Sequence, residues 1–245
     1  MISEAYVFAD HESRDADVYA KLKYEISLRW IKKIRGSKSS DRTNLLVNIG
    51  CGGGVFNRMA IESGYRVIAC EPDAAAFNLA SKYQHQNLQI VFGDISVIPR
   101  NEQADVIVMH DVLEHIDEEY KTLKEVSSLL SEDGLLVLSV PAFDQLYGFH
   151  DQQLGHYRRY SKTSLRRALR FFFKISKIRY FGFFALPAVV VYSRLFRKPY
   201  PHFSHSKATF WERTLSSLLR LESRIGSPLG TSVIVCAVKK QFKDF

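Results

Sequence analysis

The stretch Leu45-Leu46-Val47-Asn48-Ile49-Gly50-Cys51-Gly52-Gly53-Gly54-Val55-Phe56 constrains this chain more than any other. A short apolar run suited to a buried parallel strand passes through glycines 50, 52 and 54 into an amphipathic segment, Phe56 to Ser63, with helical period. Alternate glycines let the backbone turn tightly and leave main-chain atoms open to a ligand that a Cβ would block. Glycine-rich turns also close ordinary surface loops. Glu71 weighs between the two readings, because it ends the next apolar run, Val67-Ile68-Ala69-Cys70, about twenty residues on. An acidic residue there can accept hydrogen bonds from both hydroxyls of a ribose.

The glycines run Gly-x-Gly-x-Gly rather than with dinucleotide-binding spacing, and Val47 to Gly54 resembles motif I of the class I S-adenosylmethionine-dependent methyltransferases. Glu71-Pro72-Asp73 resembles that family's ribose-binding motif, Gly93-Asp94-Ile95 its adenine-binding turn, and Asp105 to Ile116 its fourth strand with the helix start that follows. The resemblance covers residues 44 to 141 and implies S-adenosyl-L-methionine as cofactor, with S-adenosyl-L-homocysteine as product. It assigns Asn48, Gly50, Cys51, Gly52 and Gly54 to the glycine loop, and Glu71 and Pro72 to the ribose. Asp94 and Ile95 fall to the adenine, and His110 with His115 to the methionine end. Asn48 stands where the family usually has Asp or Glu; it keeps a hydrogen-bonding oxygen but lacks the charge that would face the cofactor's cationic end.

From Leu45 onward strand and helix patterns alternate, which implies a parallel sheet covered on both faces. Strands are expected at Leu45 to Ile49, Arg66 to Cys70, Leu88 to Phe92, Val106 to His110, Leu135 to Val140 and Ile175 to Phe181. Helices are expected at Val55 to Ser63, Ala74 to Tyr83, Glu118 to Leu130 and Thr163 to Phe173, with Asp73 and Asp117 as N-caps. Phe210 to Ile225 reads as another helix and the β-branched run Thr231 to Val238 as the last, antiparallel strand that the resemblance leads one to expect. The fold class is α/β, a doubly wound Rossmann-like sheet of seven mostly parallel strands. Residues 1–40 read as an N-terminal helical lid or as a cap on the sheet, with Val18, Leu22, Ile26, Trp30 and Ile34 as its apolar stripe. Residues 41–245 form the methyltransferase domain, including an acceptor loop at 142–162 and a helical insertion at 183–226.

The net charge of +8 hides two opposed halves. Residues 1–150 hold 15 Lys and Arg against 22 Asp and Glu, whereas residues 151–245 hold 19 against 4. The basic half would gather an anionic acceptor, an acidic protein or an anionic membrane face, or it is a solvated surface kept for solubility. Cys51, Cys70 and Cys236 have neither paired nor metal-ligand spacing, which suits a reducing, cytoplasmic compartment. No secretory signal is evident at Met1-Ile2-Ser3-Glu4. The apolar run between Arg179 and Arg194 is too short to cross a bilayer, so it is core or a peripheral contact with the inner membrane face.

After the fifth strand comes a loop dense in aromatics, histidines and arginines, which at a ligand rim is free to serve a substrate. Asp151 to Ser161, with Leu154-Gly155-His156 and Arg158-Arg159-Tyr160, resembles a methyltransferase subgroup whose context suggests glycan or lipid-linked acceptors. His150 or His156 would accept a proton, with His110 a further candidate. Arg158 and Arg159 would grip a carboxylate or phosphate, and Tyr160 belongs to the same loop. In the competing reading the arginines tie the loop to Asp144 or Asp151 and the histidines are structural. No metal pattern is defended. Three functions stand: methylation of oxygen or nitrogen on a small-molecule or lipid-linked glycan acceptor, methylation of lysine on an acidic protein, and a non-catalytic cofactor-binding scaffold. Nucleic acid is disfavoured, since His110-Asp111-Val112-Leu113 replaces an Asn/Asp-Pro-Pro-Tyr signature.

Overall fold

A computed structural model of the protein describes residues 17–36, 44–191 and 210–241. The first described helix, α1 (Val18–Arg35), precedes β1 (Leu45–Ile49), α2 (Val55–Glu62), β2 (Arg66–Glu71), α3 (Ala74–Ala80), β3 (Leu88–Phe92) and β4 (Ala104–His110). Then follow α4 (Glu119–Leu129), β5 (Leu130–Pro141), α5 (Phe149–Gln153), α6 (Lys162–Leu169), β6 (Phe173–Phe181), α7 (Leu186–Val190), α8 (Phe210–Ile225) and β7 (Ser232–Lys239). The seven strands lie in the order β3-β2-β1-β4-β5-β7-β6. β1 pairs in parallel with β2 and β4, and β7 runs antiparallel between β5 and β6.

Near-continuous apolar runs form the central strands because both faces are covered. Leu45, Val47 and Ile49 of β1 pack with Leu123 and Val126 of α4 and Leu165 of α6. Leu46, between them, packs on the other face with Ile31 of α1 and Phe56 and Ala60 of α2. Helix α1 also lays Val18, Leu22 and Ile26 against Phe181, Ile234 and Leu219 of α8. Its apolar stripe thus covers the sheet and α8, while Lys23 and Ser27 reach Asp111 and His110 at the carboxyl end of β4.

Several boundaries depart from the sequence reading. Leu130 pairs with Ala104 before the register shifts and Leu135 meets Val106, so the polar run Ser131 to Gly134 lies inside an irregular β5 rather than before it. Asp73 caps α3 by accepting from the Ala76 N–H at 2.8 Å. Asp117 is not the cap of α4: the helix starts later, after Glu118, and Asp117 instead receives Arg158 through its carbonyl (2.9 Å) and carboxylate (3.3 Å). The basic helix after the loop stops at Leu169, and the apolar segment from Phe183 enters a helix only at Leu186. The remainder of that segment, residues 1–16 of the proposed lid, the linker at 37–40 and residues 192–209 of the insertion lie outside the described residues. Among the described residues, two that are not glycine adopt positive φ, Asp111 (55°) and Phe143 (61°). They follow β4 and β5 directly, at the rim where open α/β sheets bind ligands.

Candidate active site

The glycine turn and the ends of β2, β3 and β4 enclose a cleft of about 1050 Å³, open solvent included. Gly50, Cys51, Gly52, Gly53, Glu71, Pro72, Asp94, Ile95, His110 and His115 line it. Gly50 has φ +68°, and a Cβ there would come within 2.5 Å of Val112, so the turn needs glycine on two counts. Glu71 is buried and works twice at home: its Oε2 accepts from the Gly52 N–H (2.7 Å) and its Oε1 from the Asp73 N–H (3.0 Å). One carboxylate therefore fixes both the glycine turn and the start of α3. Asp94 is exposed, and its Oδ1 accepts from the Ser96 N–H (2.9 Å) and hydroxyl (2.6 Å). Those bonds hold its carboxyl below the usual range. Burial pushes the Cys51 thiol well above its ordinary value, so it faces the cleft protonated.

Asn48 and Gly54 do not line the cleft. Asn48 is buried, and its Nδ2 donates to Asn57 Oδ1 on α2 at 2.7 Å, tying strand to helix. Gly54, at φ +86°, is the N-cap of α2, and its backbone packs against Ala80 of α3. Both hold the turn from behind.

Helix α1 closes the β4 end of the cleft with side chains that the sequence reading did not single out. Tyr24 lines the cleft. Its ring meets His110 at 4.7 Å between centroids, and Phe56 meets the same imidazole at 4.8 Å. Ser27 Oγ lies 2.9 Å from His110 Nε2. Burial, outweighing the nearby Asp111, pushes His110 down to about 3, with Lys23 adding to the fall. Lys23, itself buried, pairs with Asp111, whose other oxygen accepts from Ser139 at 3.0 Å. Tyr19 joins the same face, with its hydroxyl 2.6 Å from Thr231 Oγ1 and donating to Phe181 O at 3.2 Å. Tyr19, Lys23 and Ser27 recur every four residues. That spacing was available in the sequence, but a buried polar row cannot be told there from a solvated one.

The loop after β5 is a folded unit. Asp151 is fully buried and accepts from Arg159 Nε (2.7 Å), contacts His156 Nδ1 (2.8 Å) and accepts from the Gly148 N–H (2.9 Å). Burial raises the Asp151 carboxyl, but bonds from His156 and Arg159 win and hold it at about 2. Arg159, 4% exposed, also donates to Ala142 O at 3.2 Å. It therefore presents no fork to an acceptor, and the loop-tying reading describes its geometry. Tyr160 sits in the core and its hydroxyl donates to Glu119 Oε2 (2.9 Å), so it too is turned away from the rim. Arg158 is half-buried beside Asp117 and Glu119. His150 lies half-buried on α5. His156 packs edge-on against His115 at 4.6 Å, and the Tyr157 N–H donates to Glu114 O at 2.8 Å. The loop thus leans on the turn Leu113–His115 beside the cleft, and of its histidines it brings His156 to a cleft residue.

All three cysteines are buried and free of disulfides. Among the described residues no helix is long and apolar enough to cross a membrane.

The model of the methyltransferase-domain family matches residues 20–172. A ubiquinone biosynthesis O-methyltransferase of Glaesserella parasuis is 30% identical over 123 residues, 44% of this chain and 52% of that protein. A malonyl-[acyl-carrier protein] O-methyltransferase of Halalkalibacterium halodurans is 28% identical over 156 residues, 58% of this chain and 57% of that protein. The chain spans about half the length of these relatives. Among solved structures, the plantazolicin methyltransferase BpumL, in complex with a triazolic desmethylPZN analogue and S-adenosylhomocysteine, superimposes with a TM-score of 0.61 at 13% identity. That match covers 94% of this chain and 88% of the other, and it shows a shared fold. With the glycine turn, the seven-stranded order and the antiparallel β7 in place, the chain belongs to the class I S-adenosylmethionine-dependent methyltransferases, in the methyltransferase-domain family.

Proposed function

We propose that the chain transfers a methyl group from S-adenosylmethionine to an oxygen of a small-molecule or lipid-linked acceptor, with nitrogen as the alternative atom. The observation that carries this reading is the single cleft that joins Gly50 to Gly53, Glu71, Asp94, Ile95 and His115. Glu71, already oriented by two backbone amides, holds the ribose hydroxyls with its remaining lone pairs. Asp94 takes the adenine amino group and Ile95 its ring face. The turn amides and the His110–Asp111 end of β4 face the methionine portion. Both sequence relatives are O-methyltransferases, which favours oxygen.

Methyl transfer from a sulfonium is an in-line displacement, so the protein's tasks are alignment and exclusion of water. Tyr24 and Phe56 pack the methionine end, and Lys23, Asp111 and Ser139 set the tip of β4 against β5. His110 is too weakly basic at about 3 to hold an acceptor's proton at neutral pH, so it positions rather than transfers.

The Leu154-Gly155-His156 and Arg158-Arg159-Tyr160 loop supports membership of the subgroup it resembles. A lipid-linked acceptor is favoured over a protein lysine by exposed Phe183, Phe184, Val190 and Val191 just beyond the rim end of β6, and by exposed Arg166, Arg167 and Arg170 about α6. These would let the chain rest on an anionic membrane face. The test is incubation with methyl-labelled S-adenosylmethionine and a cell lysate, fractionated into lipid, glycan, small molecules, protein and nucleic acid. Label in lipid, glycan or a small molecule supports the reading. Label confined to one protein band replaces it with protein methylation, and tight cofactor binding without label in any fraction favours the scaffold.

A further inference from the structure

Glu114 and His115 are neighbours in the short turn after β4, and the loop after β5 carries His156 to them from far along the chain. A ligating atom of each lies within 4.8 Å of the others. Glu114 is 1% exposed, His115 7%, and the His156 side chain 7%. A carboxylate and two imidazoles thus bring ligand-type atoms together out of water.

His156 gives Nδ1 to Asp151, which leaves Nε2 as its other ligating atom. Asp151 is itself held by Arg159 and the Gly148 amide, so the imidazole is fixed in tautomer and direction. A carboxylate orienting one ring nitrogen while the other binds metal is the usual outer shell of a metal-ligating histidine. Tyr147 locks the same residue by donating its hydroxyl to His156 O at 2.8 Å, and the Tyr157 amide locks the loop onto Glu114. Ordinary edge-to-face packing of two histidines would account for the ring geometry, but not for a buried carboxylate oxygen within 4.8 Å of both imidazoles.

We propose that Glu114, His115 and His156 bind one divalent first-row transition-metal ion at the edge of the cofactor cleft, with Asp151 orienting His156. Two imidazoles and a carboxylate suit zinc, cobalt, manganese or iron and leave positions open for other ligands, whereas calcium and magnesium prefer all-oxygen shells. His115 also lines the cofactor cleft, so an ion there stands between cofactor and incoming acceptor. The task given to the ion rests on the methyl-transfer reading above. An acceptor hydroxyl bound to the ion loses its proton to water more readily. The oxygen's electron pair forms the new bond to the methyl carbon, the carbon–sulfur bond breaks, and its pair stays on sulfur to give S-adenosylhomocysteine. The substrate class is therefore one that offers a hydroxyl with a second oxygen placed to chelate.

The test titrates the chelator-washed chain with Co²⁺, read by its visible ligand-field bands, and with Zn²⁺ by calorimetry; S-adenosylhomocysteine is titrated on every preparation. Wild type is expected to take up one equivalent. Glu114→Gln, His115→Ala and His156→Ala each weaken uptake by about 100-fold or more, Asp151→Asn by about 10- to 100-fold, and His85→Ala, on the turn before β3, leaves it unchanged. If an alanine variant loses cofactor binding as well, Glu114→Gln, which keeps the side chain's shape, decides. No uptake by wild type that still binds S-adenosylhomocysteine overturns the site, as does uptake unaltered in Glu114→Gln and His156→Ala. Ion uptake without cofactor binding contradicts the methyl-transfer reading and leaves the metal site standing.

Discussion

The turn Gly50 to Gly53 meets the cleft through main-chain atoms braced by one carboxylate, Glu71. The segment 142–161 is braced by side chains from distant places: Arg159 and His156 on Asp151, Tyr160 on Glu119, Arg158 on Asp117. The first region is a local device, strand, turn and helix, that any chain with the same few residues can repeat. The second is a tertiary network whose members are useful only together. A cofactor common to many enzymes suits the former, and an acceptor particular to one suits the latter.

On that contrast, the network of the loop after β5 should be the costlier to break. Asp151→Ala strips the buried Arg159 and His156 of their shared partner and is expected to destabilise the fold by about 3–5 kcal/mol, the range for breaking a buried ion pair. Urea unfolding measures it, and a loss below about 1 kcal/mol would show that the loop is not built around this residue. On the cofactor side, Glu71→Ala should weaken S-adenosylhomocysteine binding by about 1.5–3 kcal/mol, the worth of hydrogen bonds to a charged group. It should do so with little change in acceptor-loop stability; unaltered affinity in calorimetry would remove Glu71 from the ribose site.

The β4 end of the cleft tests the same comparison through pH. His110 is held near 3 in the fold, below the roughly 6.5 of an unfolded histidine, so its contribution is present above about 6.5 and lost as pH falls towards 3. The groups that face it are Asp111, which opposes the shift, Lys23, which adds to it, and Ser27. Stability should fall by up to about 1.4 kcal/mol per pH unit between pH 6 and 4 through this residue. His110→Gln should flatten that slope, and an equal slope in wild type and variant would show that the imidazole titrates freely. Smallest of all, Arg158→Ala removes partly exposed ion pairs with Asp117 and Glu119 and should cost less than about 1 kcal/mol. If it instead raises the KM for acceptor at unchanged cofactor affinity, Arg158 leaves Asp117 to grip the substrate.

The contrast also explains what could be read from the sequence. The sheet was legible because β1, β2 and β4 bury both faces and leave nearly unbroken apolar runs, and because Gly50, Glu71 and Asp94 recur at fixed distances along the chain. The resemblance gave Asn48 a place in the glycine motif but not a direction, and its amide turns to Asn57. Asp117 looked like a helix cap because nothing local reveals that Arg158 will claim it. Arg159 and Tyr160 looked like acceptor residues for the same reason, since polar density in a loop does not say which side chains it will bury. Lys23 was not singled out, because only the packing of α1 on the sheet brings it to Asp111. Glu114 stood only as part of the fourth-strand motif, because nothing local reveals that His156 arrives beside it from the next loop.

The measurement that bears most directly on the account is a thermodynamic cycle between Glu71 and the ribose it is said to hold. Calorimetry would compare S-adenosylhomocysteine with its 2′,3′-dideoxy analogue on wild type and on Glu71→Gln. The account predicts that removing the hydroxyls costs wild type at least about 1.5 kcal/mol more than it costs the variant, because the two changes delete one interaction. Equal losses in both proteins would place the ribose elsewhere and contradict the assignment of this cleft to the cofactor.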